Sequence, residues 1–271
     1  MATFVLVPGF WLGGWAWREV TAKLRERGHE VFPVTLTGLA ERAHLAGPEV
    51  GLETHTTDIT ALIETEELHD VVLVGHSGGG MPVTQAADRL PDRIAKVVYV
   101  DSGPLPDGAA QFDIHPPEEQ ERLRAVIGDG HLLPPPSWDP ADDAVGLAGL
   151  DDTALALLRR RSTPEPLRAA TDPVRRTGGP GSGPRPAAGG TPAVPGGTLA
   201  VPGETPVVPA ALVACTFPLD VVTAMMAQGH PFFAELAGAD LHALPTGHWP
   251  MLSEPAALAG LLDEIAAGVR P

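Results

Sequence analysis

The sequence predicts an α/β fold: a mostly parallel sheet with helices on both faces and a small helical insertion. Three observations carry this. From Thr3 to Val100, short runs of β-branched and aliphatic residues alternate with stretches of helical periodicity, β-α-β-α-β-α-β. One such run, Val71-Val72-Leu73-Val74, stops at Gly75-His76-Ser77-Gly78-Gly79 and passes straight into a helical segment. The length, 271 residues, suits one α/β domain with an insertion.

Taken in order, Thr3 to Val7 is the first core strand, ending in Pro8-Gly9-Phe10-Trp11-Leu12-Gly13-Gly14. A helix follows from about Trp15 to Arg27, closed by Gly28 as a C′ glycine. Glu30 to Val34 make a second strand, and a long loop over 35–52 leads to a helix from Thr54 to Glu66. Ile59, Leu62 and Ile63 share one face of that helix. The Val71 strand, a helix over 81–90 and a strand from Ala95 to Val100 complete residues 1–103, the first part of the core.

Residues 104–209 read as a helical cap, for no strong strand pattern appears there. Helices are expected over 116–127, 151–161 and 163–175, the last interrupted by Pro166. Pro117-Glu118-Glu119 supplies acids to the first turn of one, and Arg159-Arg160-Arg161 supplies cations to the end of another. A Pro/Gly-rich loop, 178–209, ends the cap with three seven-residue units, GGTPAVP, GGTLAVP and GETPVVP. These are too proline-dense for a helix and too poor in apolar surface to fold alone. Residues 210–271 return to the core: a strand to Thr216, a helix over 219–228, an apolar turn over 231–236, a strand over 239–244 and a closing helix over 254–269.

Composition narrows the function. The single cysteine, Cys215, leaves no internal disulfide and fits a reducing, cytoplasmic setting; its apolar run marks it as buried and inert. The N-terminus lacks a basic n-region, and no apolar stretch approaches the ~20 residues that cross a bilayer, so neither a signal peptide nor a membrane partner is expected. A net charge of −16 argues against nucleic acid. No cluster has metal-ligand spacing, so neither metal nor cofactor is expected, and a small-molecule substrate is the partner foreseen. Nothing in the pattern sets the oligomeric state.

Gly-x-Ser-x-Gly between a strand and a helix forces the serine into strained backbone angles and lifts its hydroxyl clear of the sheet. Ser77 is therefore the expected nucleophile. The glycines stand where a Cβ would strike the neighbouring strand or helix. A serine needs a base, and the base needs an acid that fixes its tautomer. Among ten histidines, His248 fits best, in a loop after the last strand, Pro245-Thr246-Gly247-His248-Trp249-Pro250. His76, beside the nucleophile on a sharp turn, is expected to point elsewhere; His29, His44, His55 and His69 suit surface roles. Two acids fit: Asp220, beyond the Ala210 strand and 28 positions before His248, is favoured, and Asp101, at the end of the Ala95 strand, is the alternative. Asp220 would otherwise cap the helix after it. The N–H groups of Gly78 and of Phe10, or less favourably Trp11, are the expected oxyanion donors. Trp11 and Trp249 are expected to line a pocket for an apolar or aromatic substrate.

With these pieces placed, the segment FVLVPGFWLGGWAW (Phe4 to Trp17), the elbow GHSGGG and the closing GHW resemble the α/β-hydrolase superfamily, in its compact branch of small carboxylesterases, plant methyl-ester esterases and hydroxynitrile lyases. The resemblance spans nearly the whole chain and implies the α/β-hydrolase fold, with Ser77 as nucleophile, Asp220 as acid, His248 as base, and Phe10 and Gly78 as oxyanion donors. Three features depart from it: Pro8-Gly9 where His-Gly is common, Gly78 where a larger side chain is common, and the Pro/Gly repeat. Cyanide elimination in that branch uses a Thr and a Lys at the positions of Gly9 and Trp249, so the lyase reaction is disfavoured. The expected function is a serine hydrolase that cleaves a carboxylic ester of a small apolar or aromatic metabolite through an acyl-enzyme. The alternatives are a cofactor-free lyase, cyclase or lactone hydrolase, or a non-catalytic binding protein.

Overall fold

In the computed structural model, β1 (Thr3–Val7), α1 (Arg18–Glu26), β2 (Glu30–Pro33), α2 (Leu52–Thr65), β3 (Val71–His76), α3 (Gly80–Arg89) and β4 (Ile94–Val100) follow one another. Their ends fall within about two residues of the expected ones, except at the start of α1, where Gly14–Trp17 forms a tighter 3-10 turn. Then come α4 (Pro117–Ile127), β5 (Leu132–Leu133), α5 (Asp152–Arg161), β6 (Glu165–Pro166) and α6 (Leu167–Thr171). β7 (Ala210–Ala214), α7 (Leu219–Ala227), β8 (Asp240–Ala243), α8 (Pro250–Ser253) and α9 (Pro255–Ala267) follow. The structure describes residues 1–177, 208–230 and 233–269, so the seven-residue units lie outside the described residues but for their last two positions.

Six strands form one sheet in the order β2-β1-β3-β4-β7-β8, every neighbouring pair parallel. Every residue of β3 is buried, as a strand of Val and Leu at the centre of a two-layered sheet must be. Alternate side chains leave opposite faces. Phe4, Leu6, Val72, Val74, Val98 and Val100 pack with Val20 and Leu24 of α1 and Leu258 and Leu262 of α9. Val5, Val7, Leu73, Val97 and Tyr99 pack with Ile59 and Ile63 of α2 and Val83 of α3. Parallel pairing brings the C-terminal ends of β3, β4 and β7 to one edge, where Ser77, Asp101 and Cys215 follow the strands.

Two departures from expectation lie between β4 and β7. The helix expected over 163–175 shortens to α6, because Pro166 has no N–H to continue one. In its place Glu165 and Pro166 pair antiparallel with Leu132 and Leu133, a ribbon too short to show a period of two in the sequence.

Candidate active site

Ser77 sits at the end of β3 with φ 48°, the left-handed region that a non-glycine residue occupies only under constraint. The constraint comes from both flanks. A Cβ on Gly75 would lie 2.6 Å from Val83 Cγ2, and one on Gly79 would lie 2.5 Å from the carbonyl oxygen of Pro8. Bare glycines therefore let β1, β3 and α3 close around the turn. Ser102 Oγ donates to the Ser77 carbonyl at 2.6 Å and pins it from the β4 side.

The imidazole of His248 reaches back across 171 positions to place Nε2 at 2.8 Å from Ser77 Oγ. Its Nδ1 lies 2.6 Å from Asp101 Oδ2. An ionised carboxylate can only accept, so Nδ1 carries the hydrogen and Nε2 presents its lone pair to the serine hydroxyl. Asp101 corrects the acid expected at Asp220. It stands one residue past β4, with φ 45°, and its side chain is only 3% exposed. Asp220 is exposed in the first turn of α7, outside the pocket. The end of β7 is already taken by Asp101: Cys215 N–H and Thr216 N–H each donate to Oδ1 at 3.0 Å, and Thr216 Oγ1 donates to Oδ2 at 2.8 Å. Burial opposes the charge on Asp101, but the bond and charge of His248 and these two amides outweigh it and hold the carboxyl below its ordinary range. Cys215 is buried as expected, and desolvation pushes its thiol pKa up.

The His248 loop is fastened from two sides. Its own N–H donates to the Gly146 carbonyl at 2.7 Å, and Gly247 N–H donates to that of Ala148 at 3.2 Å. From below, His76 Nε2 donates to the His248 carbonyl at 2.6 Å. The expectation that His76 points away from the site is corrected: its ring packs on those of His248 and Trp249, with centroids 4.9 and 5.2 Å away. Complete burial and the nearby His248 hold the His76 imidazole well below its usual range, so it stays neutral and fixes the loop as a donor.

On the opposite side of Ser77 lies the turn after β1. Phe10, Trp11 and Trp249 all line the cavity that opens on Ser77 and His248. Gly78 is bare because the Phe10 ring occupies the place its side chain would take. The two candidate amides part company here. Trp11 N–H donates to Glu165 Oε2 at 2.9 Å, whereas that of Phe10 has no acceptor among the described residues. Neither Glu165 nor its neighbour His55 was singled out as a site residue in the sequence, and both are buried rather than surface residues; the same holds for His29. The cavity encloses about 520 Å³, and Gln111, Ile114, Trp138, Leu147, Phe217 and Phe233 contribute to its wall. That volume fits a small ligand.

Such an arrangement can take a proton from the Ser77 hydroxyl and hold it on an imidazolium beside a carboxylate. Among the described residues, no three His, Cys, Asp or Glu side chains gather as metal ligands, and no helix is long and apolar enough to cross a membrane.

A model of the alpha/beta hydrolase family matches residues 4–261. A carbendazim hydrolyzing esterase from a Nocardioides species is 54% identical over 102 residues, 38% of this chain and 42% of that protein. A putative chloroplastic methylesterase of Arabidopsis thaliana is 30% identical over 176 residues, 59% of this chain and 50% of that protein. The matched stretches thus span half or less of these relatives' own length. Among solved structures, an extracellular alpha/beta-hydrolase from a Paenibacillus species matches with a TM-score of 0.72 at 20% identity, over 97% of this chain and 98% of that one. A methylesterase from Arabidopsis matches with a TM-score of 0.70 at 18% identity, over 99% and 100%. These two likenesses concern the fold.

Proposed function

The chain belongs to the alpha/beta hydrolase family, and on that premise we propose that it is a carboxylic ester hydrolase working through an acyl-enzyme on Ser77. The observation that carries this reading is the continuous path Ser77 Oγ, His248 Nε2, His248 Nδ1, Asp101 Oδ2, with links of 2.8 and 2.6 Å, at the floor of an aromatic pocket. Ser77 Oγ attacks the ester carbonyl carbon while His248 Nε2 takes its proton. The carbonyl oxygen becomes an oxyanion and receives the N–H groups of Phe10 and Gly78. Collapse breaks the bond to the alkoxy group, which leaves with the proton from His248. A water then repeats the attack on the acyl-enzyme, His248 again serving as base, and the acid is released from Ser77.

Relatives named as an esterase and a methylesterase support the reaction class. The substrate proposed is a small ester whose acyl or alkoxy part is apolar or aromatic, held against Trp11, Trp138 and Trp249 under a cap to which the described residues 104–177 contribute. A fluorophosphonate reagent followed by peptide mass spectrometry is expected to modify Ser77. A chromogenic short-chain ester is expected to be cleaved by the wild type and not by Ser77→Ala. Turnover surviving in the alanine variant would end the acyl-enzyme reading.

A further inference from the structure

We propose that Glu165 is a positioning residue of the oxyanion loop: its buried carboxyl holds the backbone N–H of Trp11, so that of the two amides after Gly9 only Phe10 N–H is left for the reacting carbonyl. The inference rests on the acyl-transfer reading above. It assigns a task to a side chain that takes no part in the proton path.

Trp11 is gripped at three atoms by the segment around β5 and β6. Its N–H donates to Glu165 Oε2 at 2.9 Å, its indole Nε1 donates to the Leu133 carbonyl at 3.2 Å, and its carbonyl accepts from Thr163 N–H at 3.0 Å. Leu133 and Glu165 are register partners in the ribbon, which sets two of the acceptors side by side. Trp11 has φ 66°, a conformation a large side chain keeps only where its surroundings over-determine it. The three bonds supply that constraint. Gly9 cannot be exchanged for a stiffer residue, because a Cβ there would lie 2.7 Å from His76 Nδ1 and 2.9 Å from Ser77 Cβ. The loop between Pro8 and Leu12 thus relies on fastening from outside, and Glu165 provides the bond at the amide next to the proposed donor.

The surroundings of Glu165 suit a neutral acid. It is 1% exposed, and among the described residues its Oε1 has no hydrogen-bond partner. Among the described residues the titratable group that faces it is His55 of α2, with Nδ1 3.9 Å from Oε1. His55 donates through Nε2 to the Thr37 carbonyl at 2.9 Å and is held neutral chiefly by burial, so Nδ1 offers a lone pair rather than a charge. Near His55, Arg42 and Asp58 pair with each other at 3.0 Å and share further bonds with Thr35 and Thr37, so the two charges offset one another there. Desolvation pushes the Glu165 carboxyl up to about 8, against the opposing Trp11 N–H bond. Kept neutral, the acid fastens the loop without adding charge beside the forming oxyanion. Ionising it would set a negative charge in the loop that must stabilise another.

Glu165→Gln keeps an acceptor and the side-chain volume; Glu165→Met keeps the volume and removes the acceptor. With a chromogenic ester, Glu165→Met is expected to lose about 10- to 100-fold in kcat with KM within about threefold, and Glu165→Gln to stay within about threefold of wild type. The wild-type kcat is expected to fall above about pH 8, and this fall should vanish in Glu165→Gln. Full kcat in Glu165→Met, or an equal loss in both variants, overturns the proposal. Should Glu165→Met not fold, the pH profile of Glu165→Gln decides: a fall above pH 8 that persists there overturns it. Hydrogen exchange at the Trp11 amide, measured without substrate, separates this from failure of the esterase reading. Protection in wild type and Glu165→Gln supports the hold whatever the enzyme turns over, and fast exchange in the wild type refutes it.

Discussion

Asp101 has four donors converging on one buried carboxylate, so replacing it removes more than a charge. Asp101→Asn presents an amide N–H to His248 Nδ1 and favours the wrong imidazole tautomer. Turnover is expected to drop on the order of 10³–10⁴, whereas Asp220→Asn, exposed on α7, should leave kcat within about twofold. A steady-state comparison of the two variants checks this, and equal effects would refute the assignment. Gly78→Ala makes a different demand, since the new methyl would fall on the Phe10 ring. Moving that ring shifts the amide it carries, and a kcat loss of about 10- to 100-fold with KM nearly unchanged is expected. Glu165 has a stability signature as well. Its folded carboxyl is raised to about 8 from an ordinary 4.5, so the unfolded chain releases that proton first. Stability is lost as pH rises from about 4.5 to about 8. Relative to wild type, Glu165→Gln should therefore gain Tm progressively over that window and gain nothing near pH 4. A Tm difference independent of pH would show that the carboxyl is not held neutral.

At the level of elements, the strand-turn-helix unit and the closing helix respond in opposite ways to the same substitution. In Gly79→Ala the methyl meets the Pro8 carbonyl oxygen at 2.5 Å, a backbone atom that cannot swing aside, so the β1 and β3 ends must part. A loss of about 1–3 kcal/mol is expected. Gly260, inside α9, has its nearest neighbour at 3.5 Å, the flexible end of Arg27, so an alanine there fits. Helix propensity alone should add about 0.5–1 kcal/mol in Gly260→Ala. Urea titrations of both variants check the signs. The same contrast explains what was legible in the sequence. Ser77 and His248 could be read because strand ends and glycine turns are local, and a parallel sheet with helices on both faces follows from the β/α alternation. Choosing between Asp101 and Asp220 depended on where two strand ends meet in space. The clue available was that Asp101 adjoins its strand directly, while Asp220 stands beyond Pro218. Glu165, His55 and His76 were illegible for a deeper reason: polar residues read as surface until tertiary packing buries them, and a two-residue strand carries no period.

For the molecule as a whole, 34 acidic against 18 basic side chains give a net charge of −16, and Asp139, Asp142 and Asp143 add acids to the pocket lining. A field of that sign slows the approach of anions and leaves neutral molecules unaffected. Its reach follows the Debye length, about 30 Å at 0.01 M salt and about 8 Å at 0.15 M. An ester carrying a carboxylate or sulfonate remote from the scissile bond should therefore show a kcat/KM that rises several-fold between these salt concentrations. Its uncharged counterpart should stay level, because neither the aromatic wall nor the 2.6–2.8 Å bonds of the site depend on screening. The change should sit in KM rather than in kcat, since salt acts on the encounter and leaves the buried Asp101–His248 pair alone. Parallel salt curves for the two esters would instead place the response in the folded state itself, and would remove long-range charge from the account of what this pocket admits.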